Sequence, residues 1–174
     1  MLVPIVETER LILRGFKLDD FDAYSALWSD PEVTRHIGDG SVKSREEAWT
    51  SFLRHAGHWQ MLGFGSWNVE EKATGRPIGY IGFNERHRDR GTAYDALPEV
   101  GWMFARSASG KGYATESLDA VLQWGRANLG AVRVVAVVAP DNIASLRVAE
   151  KCGFEIAERR LSLGRARVFC VRAL

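Results

Sequence analysis

Gly110 and Gly112 stand one residue apart in the run Ser109–Ser117, SGKGYATES. The run follows a strand-like segment, Glu99–Phe104, and opens a helix-like segment that reaches about Leu129. Glycines at such a junction leave backbone N–H groups turned outward. The helix start adds unpaired N–H groups and the positive end of its dipole. That combination binds anions, phosphate above all. A phosphate loop for nucleotide hydrolysis needs a Ser or Thr hydroxyl after Gly-Lys to hold magnesium. Here Gly112 follows Gly110-Lys111, and Ala105 stands where the loop's first glycine belongs. A dinucleotide fingerprint needs a third glycine, and Thr115 stands there instead. Both readings are disfavoured.

The elements that must position this loop are legible from periodicity and caps. Arg10–Phe16 alternates as a strand, and Leu18–Ser29 has a loose apolar helical face that Pro31 stops. Val33–Val42 carries glycines and reads as irregular. Ser44 with Glu47 forms a capping-box pattern for a helix running to about Met61. Phe64–Glu71 and Pro77–Asn84 form a hairpin around Lys72–Gly75, and Glu85–Leu97 is a charged loop. Gly101 inside Glu99–Phe104 suggests a bulge or a close backbone approach. Val132–Ala139 is a β-branched run suited to a strand buried on both faces. Asn142 or Asp141 caps a helix, Ile143–Cys152, that Gly153 ends. Phe154–Leu163 and Ala166–Leu174 read as two closing strands. The result is an α/β class with a twisted mixed sheet of about seven strands and helices on both faces. One domain across residues 1–174 is expected.

Composition narrows the function classes. The chain has 174 residues, is 46% hydrophobic and 26% charged, and has a formal net charge of +1. No global field points to nucleic acid. Cys152 and Cys170 make neither a metal spacing nor a disulfide framework, so buried thiols are expected. No signal peptide and no membrane span is read, so a cytoplasmic protein is expected.

The pieces EVGWMF, SGKGYATES, VRVVAVVA and DNIASLRVAEKCGF together resemble the GNAT superfamily of acyl-CoA-dependent N-acetyltransferases. The opening TERLILRGF and the hairpin WNVEEKATGRPIGYIGF resemble the branch that holds the ribosomal-protein N-terminal acetyltransferases. The resemblance spans nearly the whole chain. It implies acetyl-CoA as co-substrate, no metal, and a site assembled as follows. Ser109, Gly110, Lys111, Gly112, Tyr113, Ala114 and Thr115 form the pyrophosphate loop, chiefly through the amides of Lys111 to Thr115. The family's leading Gln or Arg is replaced by Ser107, with Arg106 one place earlier. Lys111 either adds charge there or is a solvent-facing lysine. Met103 and Phe104 lie where the strand pairs with the pantetheine arm, in a wedge between Glu99–Phe104 and Val132–Ala139; both also suit a plain core. Asn142 matches an asparagine that touches the same arm, and it equally suits an N-cap.

The implied reaction asks for a neutral amine held in line with a thioester, a proton acceptor, and a proton donor for the leaving sulfur. No acyl-enzyme is needed, so Cys152 need not be a nucleophile. Many members of the family it resembles carry a tyrosine acid seven residues after the asparagine, where this chain has Ala149. Ser145 is the substitute candidate, and Tyr113 a weaker one. Glu99 is the candidate base, or else an exposed strand-end acid. His36 is a further candidate for the acceptor site. Trp28, Trp67 and Trp102 are candidates for the pocket wall, or core residues. The acceptor is an amine of a small molecule or of a protein N-terminus; neither nucleic acid nor membrane is expected as a partner, and a homodimer is left open. The competing reading is a non-catalytic acyl-CoA-binding domain.

Overall fold

A computed structural model describes residues 2–87, 93–130 and 133–174. Its strands are β1 (Val6–Glu7), β2 (Leu11–Arg14), β3 (Ser66–Glu71), β4 (Arg76–Asn84), β5 (Glu99–Phe104), β6 (Arg133–Val138), β7 (Glu155–Ser162) and β8 (Arg165–Ala173). Its helices are α1 (Phe21–Ser29), α2 (Pro31–Thr34), α3 (Arg45–Leu62), α4 (Tyr113–Asn128) and α5 (Ile143–Lys151). The strands form one mixed sheet in the order β1-β2-β3-β4-β5-β6-β8-β7. Every neighbouring pair is antiparallel except β5–β6. The mixed α/β sheet is the architecture expected, with eight strands instead of about seven. The addition is β1, two residues long and too short to show an alternation. Part of the Glu85–Leu97 loop (residues 88–92) and Val132, the expected first residue of its strand, lie outside the described residues.

Alternation along β4 and β5 sorts the two faces. Tyr80 pairs with Met103 and Asn84 with Glu99; these side chains share one face. Ile81 pairs with Trp102 and Phe83 with Val100 on the other. The first face packs Tyr24, Leu27 and Trp28 of α1 with Ala48 and Phe52 of α3 around Met103. The second packs Leu118, Val121 and Leu122 of α4 against Ile81, Phe83 and Val100. Gly125 permits this approach, since a Cβ there would stand 2.6 Å from the Phe83 ring.

Two local expectations need correction. Pro31 ends α1, but it also opens α2 as the first helical residue, with the Asp30 side chain accepting from the Glu32 N–H at 2.9 Å. Gly101 marks no bulge: the β4–β5 register runs unbroken through its pairing with Gly82. A Cβ at Gly101 would meet no atom within 4 Å, so the glycine leaves open space beside the strand. The capping box of α3 is present as read. The Glu47 N–H donates to Ser44 Oγ at 3.2 Å, and the Ser44 N–H donates to Glu47 Oε2 at 2.8 Å.

The parallel pair β5–β6 positions the site. It registers at Glu99 with Val135, where the Val135 N–H donates to the Pro98 carbonyl at 3.1 Å. Beyond that point no further residues pair among those described, and the strands part, β5 running to the glycine loop and β6 to the start of α5.

Candidate active site

Gly110 (φ 76°) and Gly112 (φ 81°) are both left-handed, and Gly112 is the N-cap of α4. This turns the chain sharply into the helix, a conformation side chains resist. From Gly110 to Thr115 no backbone N–H finds an acceptor among the described residues. A Cβ at Gly110 would meet nothing within 4 Å, so the space in front of the loop is open. One side chain sets the loop's direction. Arg10 Nη1 donates to the Lys111 carbonyl at 2.9 Å, and Arg10 Nε to Glu116 Oε2 at 2.7 Å. In a planar trans peptide the carbonyl and the next N–H point opposite ways. Holding the Lys111 carbonyl on Arg10 therefore directs the Gly112 N–H away from it, into the open side. Glu116 is fixed in turn by Thr8 Oγ1 at 2.5 Å and by the Arg10 N–H at 3.0 Å. Arg10 and Glu116 lie far apart in the chain, so no local pattern links them.

Tyr113 donates its hydroxyl to Glu71 Oε1 at 2.6 Å, which raises the phenol's pKa. The hydroxyl is thus committed on the hairpin side, and Tyr113 does not line the cleft where a general acid would act. Lys111 leans the same way, its Nζ 4.0 Å from Glu71 and its side chain half exposed.

Where β5 and β6 diverge lies a cleft of about 440 Å³. Glu99, Asn142 and Ser145 all line it, so three of the expected site residues are brought together. The Glu99 side chain is 12% exposed and pairs with Arg86, Nε to Oε1, at 3.0 Å. Asn142 is the N-cap of α5: its Oδ1 accepts from the Ser145 N–H at 3.1 Å, so its amide nitrogen is the group left to donate. Ala149 is 1% exposed in the core, so its position could not present a side chain to the cleft without repacking. Trp28 and Trp102 line the cleft, whereas Trp67 is fully buried and donates its indole N–H to the Pro4 carbonyl at 2.8 Å. Met103 is buried against α1 and α3, and Phe104 packs on the opposite core; neither side chain lines the cleft, and what they offer a ligand is backbone. His36 lines it too. Its Nε2 accepts from Arg35 Nε at 3.0 Å, which assigns the ring proton to Nδ1, 3.2 Å from Asp141 Oδ1.

Cys152 is 2% exposed, and burial pushes its thiol up to about 12. Such a thiol is no nucleophile at neutral pH.

The cleft wall formed by α1 and α3 holds residues that no motif in the sequence announces. The Tyr24 hydroxyl lies 3.1 Å from both Ser51 Oγ and His55 Nε2. His55 is 5% exposed and stacks on Phe16 at 4.6 Å. Burial, reinforced by the charge of Arg54, lowers its pKa to about 3. Its unfolded pKa is ordinary, so below about 6.5 the unfolded chain binds a proton that the native chain refuses. Stability is therefore lost as the pH falls from about 6.5 towards 3, at up to about 1.4 kcal/mol per pH unit. Urea titrations at pH 7 and pH 5 should differ by about 2 kcal/mol from this residue, a difference that His55→Gln should remove. An equal acid loss in the variant would contradict the buried neutral ring.

Residues 10–155 match the family model described as the acetyltransferase (GNAT) domain. The chain is 36% identical over 157 residues to the uncharacterized N-acetyltransferase YoaA of Bacillus subtilis (strain 168), covering 88% of this chain and 84% of that one. An acetyltransferase structure from Agrobacterium tumefaciens str. C58 superposes with a TM-score of 0.83 at 27% identity, covering 99% of this chain and 95% of that one. The ribosomal L7/L12 alpha-N-protein acetyltransferase RimL, solved with coenzyme A, shares the fold at 19% identity, with a TM-score of 0.79 and 98% of each chain covered. With its glycine loop at the head of α4 and the cleft between β5 and β6, the chain belongs to the GNAT acetyltransferase family.

Proposed function

We propose that the protein transfers an acetyl group from acetyl-CoA to a primary amine by direct attack within a ternary complex. The observation that carries this reading is the row of N–H groups, Gly110 to Thr115, that have no acceptor among the described residues, beside strands that part at Glu99. The outward N–H row suits a pyrophosphate, and the unpaired edges of β5 and β6 suit an extended amide-bearing arm. Acetyl-CoA supplies an activated acyl group and a good leaving thiolate. Backbone amides from Gly110 to Thr115 hold its phosphates, the Ser109 N–H being spent on the Arg106 carbonyl at 3.0 Å, while the backbone of Met103 and Phe104 and the Asn142 amide align its arm. Glu99, fixed by Arg86, takes the proton from the attacking amine, directly or through water. Ser145 donates its proton to the leaving sulfur and regains one through water from protonated Glu99, so that amide and free thiol form with no net change in protons. Ser145→Ala should lower turnover by about tenfold or more while leaving acetyl-CoA affinity within about twofold. Equal turnover would remove Ser145 from the mechanism.

Solved proteins of this fold hold coenzyme A or acetyl-CoA, among them RimL and the microcin C7 self-immunity protein MccE. A second reading, a non-catalytic acyl-CoA-binding domain, rests on one observation: Ala149 is buried where relatives carry the acid. Thermal shift tests the shared part of both readings, because a ligand of the native state raises the melting temperature. Acetyl-CoA should raise it by several degrees, and ATP with magnesium should not. Stabilisation by ATP alone would overturn the assignment of the loop.

A further inference from the structure

Lys43 and Arg54 both line the cleft, and both reach the same neutral hydroxyl. Lys43 Nζ lies 3.4 Å from Ser51 Oγ, and Arg54 Nη2 lies 3.2 Å from it. Neither cation has a carboxylate within 4.0 Å among the described residues. Lys43 is half-buried, with its Nζ 3.5 Å from the centre of the Trp28 ring. The three carboxylates that line the same cleft are held elsewhere. Glu47 closes the capping box on Ser44, Asp39 accepts from the Ser41 N–H at 2.9 Å, and Glu99 pairs with Arg86.

A second tie on that hydroxyl sharpens the point. The Tyr24 hydroxyl also lies 3.1 Å from Ser51 Oγ. One hydroxyl oxygen accepts at most two hydrogen bonds. The ammonium and the guanidinium together carry eight N–H groups by type, and among the described residues the side-chain acceptor they reach is this one shared oxygen. Two adjacent positive charges with so few acceptors suit an anion, which would take charge-assisted bonds from both. Coenzyme phosphates are not that anion, because no residue of the Ser109–Thr115 loop lines this cleft.

We infer that the acceptor amine carries an anionic group, a carboxylate or a phosphate, which Lys43 and Arg54 bind while the amine faces Glu99. This rests on the transferase reading above and narrows its open acceptor to anionic amines.

The test uses the full chain with Lys43→Gln, Arg54→Gln and the double variant, and Arg54→Lys as the charge-conserving control. Acetyl transfer is measured for α-, β- and γ-amino acids, aminoalkyl phosphates and the matching neutral carboxamides and alcohols. Separately, calorimetry measures binding of malonate and of inorganic phosphate. The expected result is that the anionic members are preferred by about tenfold or more in kcat/KM. Each Gln variant removes most of that preference at unchanged acetyl-CoA affinity, and Arg54→Lys restores part of it. Preference for the carboxylate arm with tighter malonate binding names a carboxylate; the reverse names a phosphate. Equal use of neutral and anionic amines by wild type and variants overturns the anion site while leaving the transferase reading intact. If no amine is acetylated, the transferase reading fails, and calorimetry still decides the site: anion binding weakened about tenfold in the double variant supports it, and no binding overturns it.

Discussion

Gly112→Val is expected to abolish measurable acetyl-CoA binding, lowering affinity by about 100-fold or more. Two effects combine. At φ 81° a β-branched residue is a true outlier, and relaxing it rotates the peptides on either side. Those peptides carry the N–H groups directed by the hold of Arg10 on the Lys111 carbonyl. A Cβ at Gly112 would also sit 3.5 Å from Arg10 Nη2, so the branch methyls press on the side chain that sets the loop. Gly112→Ala keeps the strain without the branch and should cost less, about tenfold. Calorimetric titration with acetyl-CoA checks both. Unchanged affinity in Gly112→Val would move the coenzyme away from this loop.

Glu99→Gln is expected to lower kcat by about 10² to 10⁴ while leaving acetyl-CoA affinity within about twofold. The amide keeps the size of the side chain, so the β4–β5 pairing with Asn84 should persist. It cannot take a proton, and the amine must reach the thioester uncharged. The Glu99 side chain is mostly buried and anchored by Arg86, and the other two carboxylates that line the cleft are held by Ser44 and Ser41. Normal turnover in the variant would assign the proton to water alone.

Much of this molecule is written locally. The Ser44–Glu47 capping box, the hairpin from β3 to β4 and the bounds of β5 follow from patterns within a few residues. The glycine loop is legible for the same reason, since left-handed turns at a helix start demand glycine. What was not legible depends on contacts between distant segments. Arg10 meets Glu116 and Lys111 across the loop, and Lys43 meets Trp28 and Ser51 through the packing of α3 on α1. His55 reads as an ordinary helix histidine until Phe16, Tyr24 and Tyr80 are seen to surround it. Gly101 misled because a glycine in a strand fits a bulge and an open wall equally well; only the register with β4 separates them. For Trp67 the sequence leaves wall and core both open, since a tryptophan in a strand gives no sign of which face it takes; burial decides for the core.

In the proposed function the cleft beside Glu99 carries acetyl transfer and not binding alone. Mass spectrometry of amines incubated with the protein and acetyl-CoA, with free thiol followed in the same reaction, decides between the two. Acetylated amine and free coenzyme A should form in equal amounts, and both should be lost in Glu99→Gln. Tight acetyl-CoA binding with no acetylated amine across the panel, and no thiol release beyond hydrolysis, would contradict transfer and leave a binding domain.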